Sequence, residues 1–541
     1  MVKKLMIIGI VAMLLLSGCG DKVQADKKES PQKTETLSLV EIKTKNTKQC
    51  EADVSEFHVT DGEYIAESGK KMPYALRGVM GVPKGSGTYP LVLIMHGSHS
   101  NIDESLRYDT GFTYLVEYLA ENGYLALSLD VSKPYIWKYG DGDEREKVIY
   151  LVEEHMKNLE LANEGKGLNY PIDLKGKIDF DKIAMIGHSR GGDIIFPLAC
   201  EMEKKKYPIE ALIAIAPAAS EDLESREWAN SEVTIVVPEY DGDVSSLDGF
   251  NFDEMLEQKL DNPHGVTYVL GANHNYFNTN IDLNDATLAR GEEELRDQIT
   301  KEQQQEFLKN YTLDYLNAAI KGEVKDTMYD LSKAGPDTMY GVGVLTRLYD
   351  KNVTEIADIA KMDQYKEDGM TKENVTDSWF YKEDKIPIDT ITFGQEGNKV
   401  KNLLNFKWNT NKNQVVILPD QIDFSKYKAL TLNLIPDSSD PIYKKETGVG
   451  FTIELKDGKG KSAKIKIPKT AHAVRITPGK MDVTEMEEMD YHFFTPMTPI
   501  GSIRIPLHLF KNIDRKNMKE LTLYFDQEKE GSVYIESLYV Q

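Results

Sequence analysis

Cysteine is scarce in this sequence, with 3 residues in 541, and none of them has a partner at metal-ligand spacing, which argues against a thiolate metal centre. Positive charge is in deficit as well. Lys and Arg number 65 against 88 Asp and Glu, for a formal net charge of -23. That balance argues against a nucleic-acid partner, whose binders carry basic patches, and against adsorption to anionic lipid. It does not select a substrate, because net charge bears on solubility and steering rather than on chemistry. Long apolar runs are missing after the first twenty residues, and no later stretch reaches the roughly 20 residues a spanning helix needs. What remains is 40% hydrophobic and 28% charged, the composition of ordinary soluble protein, in a chain long enough for two or three domains.

The N-terminus stands apart. Lys3 and Lys4 precede an almost unbroken apolar run from Leu5 to Leu16, the layout of a secretory signal. The run ends in LSGC, Leu16 to Cys19, which resembles the lipobox of bacterial lipoproteins. The resemblance implies cleavage before Cys19, lipidation of its thiol and an extracytoplasmic, membrane-anchored protein. Two cysteines then remain. Cys50 and Cys200 are free to pair in an exported chain, but Cys200 closes a predicted core helix and reads as a buried free thiol.

Residues 20–53 are polar, lack apolar periodicity and read as a flexible tether. From residue 54 the pattern changes. YPLVLIMHG (89–97), YLALSLD (124–130), KIAMIGH (182–188), EALIAIAPA (210–218), EVTIVVPE (232–239) and GVTYVLGA (265–272) are continuous apolar runs, as strands buried on both faces are. Helical stretches alternate with them near 112–123, 144–163 and 301–320. Strands alternating with helices predict an α/β domain over 54–322 with a mostly parallel central sheet. Residues 323–385 are polar with scattered apolar positions and read as a connecting segment, helical around 342–349 and 353–361. From 386 to 541 short alternating runs such as NQVVILP, GVGFTIELKDG and GSIRIPLHLF follow one another between turn residues, the pattern of an antiparallel β-sandwich of jelly-roll type. No internal repeat is present.

The chemistry centres on Gly187-His188-Ser189-Arg190-Gly191. G-x-S-x-G at the junction of a strand and a helix is the setting of a nucleophile elbow: a tight turn lifts the hydroxyl above the sheet, and its neighbours have to be small. Serine needs a base, and in this fold class the chain order is Ser, acid, His. His274 follows the last buried strand at the matching end, whereas His264 precedes that strand. The acid follows EVTIVVPE. Asp241 comes earliest after the strand end and is the first choice, Asp243 is the alternative, and Glu239 is a further one. Asp241, Asp243 and Asp248 could also converge as a calcium loop, but their spacing does not fit an EF-hand. For the oxyanion hole, one backbone N–H is expected from Arg190 and one from the loop His96-Gly97-Ser98-His99-Ser100, with Ser98 the first candidate and His99 the next. His96 and His99 lack a neighbouring Cys or carboxylate cluster and do not read as a metal pair.

MHGSHSN, GHSRGG, PEYDGDV and GANHNYFN together resemble the bacterial secreted α/β-hydrolases of the cutinase, dienelactone-hydrolase and chlorophyllase-like groups. The resemblance covers roughly residues 60–320. It implies hydrolysis of a carboxylic ester with no cofactor and no metal, with Ser189, Asp241 and His274 as nucleophile, acid and base. The same machinery also serves peptidases and acyltransferases, while a surface-binding lipoprotein with a degenerate hydrolase fold is a reading from another class. A charged insertion between Asp130 and Lys182 departs from the compact members. Tyr135, Trp137 and Tyr139 within it, and Tyr276 beside the base, are candidates for a lid or acyl pocket, with helix packing the alternative for the insertion. The C-terminal strands resemble galactose-binding-like and other carbohydrate-binding modules, so a glycan is a candidate partner through residues such as Tyr491, Phe493 and Phe494.

Overall fold

The computed structural model describes residues 34–541, except for 46–47, 67–68, 141–142, 167, 220–222, 260–261, 289, 379–399, 411–412, 439, 479, 487–488 and 496–497. The side chains of 375–378, 400–401, 480–486 and 489–495 are likewise outside the description. Cys19 and the aromatics Tyr491, Phe493 and Phe494 therefore lie outside the described residues or side chains.

An 11-stranded mixed sheet organises residues 40–349. Its strands are β1 (Val40–Ile42), β2 (Ala52–Ile65), β3 (Lys71–Pro83), β4 (Tyr89–Met95), β5 (Leu125–Leu129), β6 (Ile178–His188), β7 (Ile209–Ile215), β8 (Glu232–Pro238), β9 (His264–Val269), β10 (Pro336–Met339) and β11 (Val342–Tyr349). Their order across the sheet is β1-β10-β11-β9-β8-β7-β6-β4-β5-β3-β2. From β5 to β9 every neighbouring pair is parallel. The pairs β9–β11, β11–β10, β5–β3 and β3–β2 are antiparallel.

The continuous apolar runs have a direct physical cause. Successive side chains of a strand point to opposite faces, and both faces here are covered. Leu91, Leu93 and Met95 of β4 join one core, while Val92 and Ile94 join another. The same alternation separates Ile183 and Met185 from Ala184 and Ile186 in β6. Helices α2 (Glu144–Asn163), α3 (Arg190–Lys204) and α4 (Gly249–Lys259) fill the first core, and α1 (Thr113–Glu121) and α5 (Lys301–Lys321) fill the second. Local signals set the helix ends. Thr300 and Gln303 form a capping box on α5, and Gly322 at φ 71° closes it. The charged insertion is largely α2, whose Val148, Leu151, Val152, Met156 and Leu159 are buried in the first core.

Two six-stranded sheets occupy the C-terminal region. One runs Glu35–Thr36, Ser462–Ile467, Phe451–Asp457, Met518–Phe525, Asn413–Ile417, Tyr365–Asp368. The other runs Met370–Ser378, Val400–Trp408, Gly531–Val540, Ala429–Pro436, Gly501–Pro506, with Thr354–Glu355 added on Gly531–Val540. Residues of both fill one apolar core, where Trp408 of the second stacks on Phe525 of the first with ring centroids 4.3 Å apart.

Three expectations change. Residues 342–349 are a strand, not a helix: VGVLTRLY pairs antiparallel along β9, whose open edge offers backbone partners that an isolated reading of the segment does not reveal. Thr354–Glu355 is likewise a short strand, so the helix expected around 353–361 does not form there. The stretch read as a tether contributes strands to both halves, Glu35–Thr36 beside Ser462–Ile467 and Val40–Ile42 beside β10. Cys50 and Cys200 are both free thiols, the latter buried on α3.

A buried polar cluster sits where the halves meet. Arg347 of β11 is 1% exposed and donates to the Tyr349 hydroxyl at 2.6 Å. Its guanidinium lies 3.4 Å from carboxylate oxygens of both Asp253 and Glu254 on α4. Tyr349 stacks between His264 and Tyr539, with centroids 5.0 and 5.5 Å away. Replacing Arg347 with Ala would strip buried carboxylates of their counter-charge, so Arg347→Ala is expected to lower unfolding stability by about 3–5 kcal/mol in urea titration.

Candidate active site

Ser189 stands alone between the end of β6 and the first residue of α3, at φ 58°, ψ -126°. This backbone region costs a residue with a Cβ roughly 1–3 kcal/mol and persists only where the surroundings enforce it. Here they do. The Ser189 N–H donates to Ile215 O at 2.9 Å, and its carbonyl accepts from Gly192 N at 2.8 Å and Ala218 N at 3.2 Å. The motif glycines have no room for a side chain. A Cβ on Gly187 would lie 2.1 Å from Gly191 O, and one on Gly191 would lie 2.6 Å from Met95 O. Spacing of two on either side of the serine thus reflects close backbone contact on both sides of the turn.

The loop after β4 closes against this turn. A Cβ on Gly97 would meet the Ser189 Cβ at 2.5 Å and Oγ at 3.0 Å, so the loop backbone lies directly on the nucleophile candidate. His96 fixes the loop. It is fully buried, its Nδ1 faces Gly97 O at 2.8 Å, and its Nε2 accepts from Val131 N at 3.1 Å. One acceptor and one donor select a single tautomer, with the proton on Nδ1. The half-buried Ser98 follows, its Oγ accepting from Asn101 Nδ2 at 3.0 Å. Across the turn, Arg190 opens α3, where the first N–H groups of a helix have no partner within it. Both N–H groups expected to form an oxyanion hole therefore belong to segments that flank Ser189.

The acid candidates separate. Asp241, 1% exposed, sets Oδ2 2.9 Å from His274 Nδ1, while its Oδ1 accepts from Val244 N at 2.6 Å and Asp243 N at 3.0 Å. Asp243 reaches the opposite ring nitrogen, with Oδ2 3.5 Å from Nε2, and its side chain is more than half exposed. Asp248 turns away to Ala219 N and Ser246 Oγ. Glu239 accepts from Gly271 N at 2.7 Å. Of the four, Asp241 occupies the place of an acid that orients a base.

His274 is fully buried in the loop after β9. Its carbonyl lies 3.0 Å from His188 Nε2, and the two rings pack with centroids 4.8 Å apart. The residue preceding Ser189 thereby holds the base loop against the elbow. Burial pushes His188 well below the usual histidine range, with the neighbouring His274 adding to the effect. For His274 itself burial works in the same direction, but the Asp241 charge and hydrogen bond, then Asp243 and Asp285, outweigh it and hold the imidazole at about 9.

Two members of the site carry no sequence signal: His188 as a brace, and Asp285, whose carboxylate accepts from both loops. Asp285 lies outside every motif, and no periodicity marks it. The pocket candidates differ in exposure. Tyr135 is buried in the core, Trp137 is 60% exposed on the same loop, and Tyr276 is half-buried under Lys301.

Residues 46–233 match the family model described as Chlorophyllase. The chain is also 28% identical over 148 residues to chlorophyllase type 0 of Chenopodium album, which covers 27% of this chain and 39% of that relative. It is thus chlorophyllase-like over the part holding the Gly97 loop and the Ser189 turn, and it spans about two fifths of the relative's length. The family-model match ends at residue 233, ahead of Asp241 and His274.

A base works only when neutral. With His274 held at about 9, any reaction in which it serves as the base is expected to rise with pH through an apparent pKa near that value. Asp243→Asn should lower that apparent pKa while keeping the high-pH rate within a few-fold. Asp241→Asn should cost about 10³–10⁴ in kcat. Steady-state pH profiles of the three proteins check both statements. The same shift has a stability consequence: since the folded pKa lies above the unfolded value of about 6.5, the contribution is complete below that pH and fades as pH rises through about 9.

Proposed function

We propose that this chain is a lipid-anchored, extracytoplasmic serine hydrolase that cleaves carboxylic esters through an acyl-enzyme. The observation that carries the reading is Ser189 held at positive φ between strand and helix, with the Asp241–His274 pair packed onto the residue before it. The similarity to chlorophyllases supports ester hydrolysis as the reaction class.

His274 takes the proton from the Ser189 hydroxyl as Oγ attacks the ester carbonyl, and Asp241 holds the imidazole through Nδ1 and stabilises the imidazolium. The backbone N–H groups of Ser98 and Arg190 receive the developing oxyanion. His274 then returns the proton to the departing alcohol. Water repeats the sequence on the acyl-enzyme and releases the acid. No cofactor or metal enters this chemistry.

Residues 54–322, completed by β10 and β11, are read as an α/β-hydrolase domain, and residues 386–541 with the flanking strands as a β-sandwich. Lipidation of Cys19 would hold the enzyme at a membrane surface. Large apolar side chains stand in water on loops beyond the C-terminal ends of the parallel strands, with Ile102 78%, Trp137 60% and Leu288 67% exposed. They favour an ester with a sizeable apolar portion, on lipid or on decorated polymer. A glycan held by the C-terminal sheets would supply the second case.

A fluorophosphonate probe is expected to label the wild type and not Ser189→Ala; an unlabelled wild type would refute the reading. A p-nitrophenyl ester chain-length series then reads the acyl preference, and a glycan array probed with full-length Ser189→Ala reads the C-terminal sheets.

A further inference from the structure

The acid and the base sit on separate loops, after β8 and after β9. Their hydrogen bond of 2.9 Å joins two side chains, and a side-chain contact alone does not fix two loops. The backbones require their own tie, and the segment after the base supplies one. Asp285, 1% exposed in a short 3-10 turn, aims its carboxylate between them. Oδ2 accepts from Gly242 N at 2.8 Å, next to Asp241, and from His274 N at 3.0 Å. Oδ1 accepts from Asn275 N at 3.0 Å. One buried carboxylate thus accepts three backbone N–H groups drawn from both catalytic loops.

The packing around it is specific to this contact. A Cβ on Gly242 would lie 2.1 Å from Asp285 O, so only glycine lets the two backbones approach this closely. A second set of bonds holds the base loop from the other side. Gln304 of α5 accepts from Asn273 N at 3.0 Å and donates to Asn273 O at 2.7 Å, and Asn273 Nδ2 reaches Asn284 Oδ1 at 2.9 Å. Asn284 immediately precedes Asp285, so the turn that presents the carboxylate is tied to the same loop.

We propose that Asp285 is a positioning residue that clamps the Asp241 and His274 loops into one unit and keeps the acid–base pair in register with Ser189. The proposal rests on the serine-hydrolase reading above. A carboxylate suits this work better than an amide, because it offers only acceptors to three converging donors. It also adds negative charge beneath the imidazole. The charged and titratable groups facing His274 are Asp241 and Asp243 from the acid loop, Asp285 from the turn after the base, His188 from the end of β6 and His99 from the loop after β4.

Asp285→Asn and Gly242→Ala test the clamp from its two sides. The first presents an NH2 group to a backbone donor, and the second pushes the acid loop off the turn. Hydrolysis of p-nitrophenyl acetate is measured across the neutral to alkaline range, with kcat expressed per Ser189 titrated by a fluorophosphonate. Each variant is expected to lose about 10²-fold in kcat, with KM within about two-fold. In Asp285→Asn the apparent pKa of the basic limb should also fall, by about one unit. A merely structural role would reduce the number of titratable sites and leave kcat per site and the pH limb unchanged, and that result in a folded variant overturns the proposal. Should both variants fail to fold, amide exchange of the wild type decides. Gly242, His274 and Asn275 are expected to exchange at a common rate, and independent rates overturn the clamp. A wild type that does not react with the fluorophosphonate defeats the hydrolase reading instead, whereas a reactive wild type matched by Asp285→Asn in rate and pH profile defeats the clamp alone.

Discussion

Ser189 is held in a backbone conformation that side chains avoid, and the arrangement around it follows from that constraint. The turn needs Gly187 and Gly191 because backbone atoms press within 2.1–2.6 Å of where their Cβ atoms would be. It needs a strand behind it and a helix ahead of it, both buried, to hold the serine against relaxation. It also needs Gly97, so the loop after β4 passes over the nucleophile candidate at backbone contact distance. A site built this way is rigid where the bond is to be made. Adaptability is left to the exposed loops beyond it, which carry Ile102, Trp137 and Leu288.

A second level of order comes from buried side chains outside the set Ser189, Asp241 and His274. His96 selects its own tautomer between Gly97 O and Val131 N, and so fixes the loop that carries Ser98. His188 reaches across to the His274 carbonyl. Asp285 gathers N–H groups from the loops that carry Asp241 and His274. Each is a buried polar side chain bonded to loop backbone, so each bears on the path of a loop rather than the charge of a surface. Burying such groups is costly unless they are satisfied; both Asp285 oxygens are bonded, whereas His188 bonds through Nε2 and leaves its buried Nδ1 without a hydrogen bond among the described residues.

The elements that were legible in the sequence are those whose signal is local. Buried parallel strands announce themselves as continuous apolar runs, so β4 to β9 could be placed. The Ser189 turn followed from glycine spacing at a strand end, and His274 became the base candidate as the histidine just past the last run. Asp241 could not be separated from Asp243 by the same reasoning, because both follow one strand and the direction of a loop side chain is set by bonds such as those from Val244 N and Asp243 N. Asp285 and the His188 brace were invisible, since each depends on contacts between loops with no period. Val342–Tyr349 was misread for a related reason. Its partner is the open edge of β9, some eighty residues earlier, and a polar neighbourhood hid its alternation. In the C-terminal region the strands from Val400 onward in the two six-stranded sheets could be read off one by one, but not their order, and Tyr365–Asp368 and Met370–Ser378 were hidden in the stretch read as a connecting segment.

The pairing of Glu35–Thr36 with Ile465 and Lys466 bears on the order in which the molecule can assemble. A chain emerging from its N-terminus carries these residues first, yet their hydrogen-bond partners arrive more than four hundred residues later. The 11-stranded sheet is in the same position, because β1 waits for β10. Contacts of such long sequence separation are slow to form and leave strand edges open meanwhile. The earliest-made strands are therefore among the last to be satisfied, and during that interval the nascent protein depends on surroundings that keep bare edges from meeting other chains.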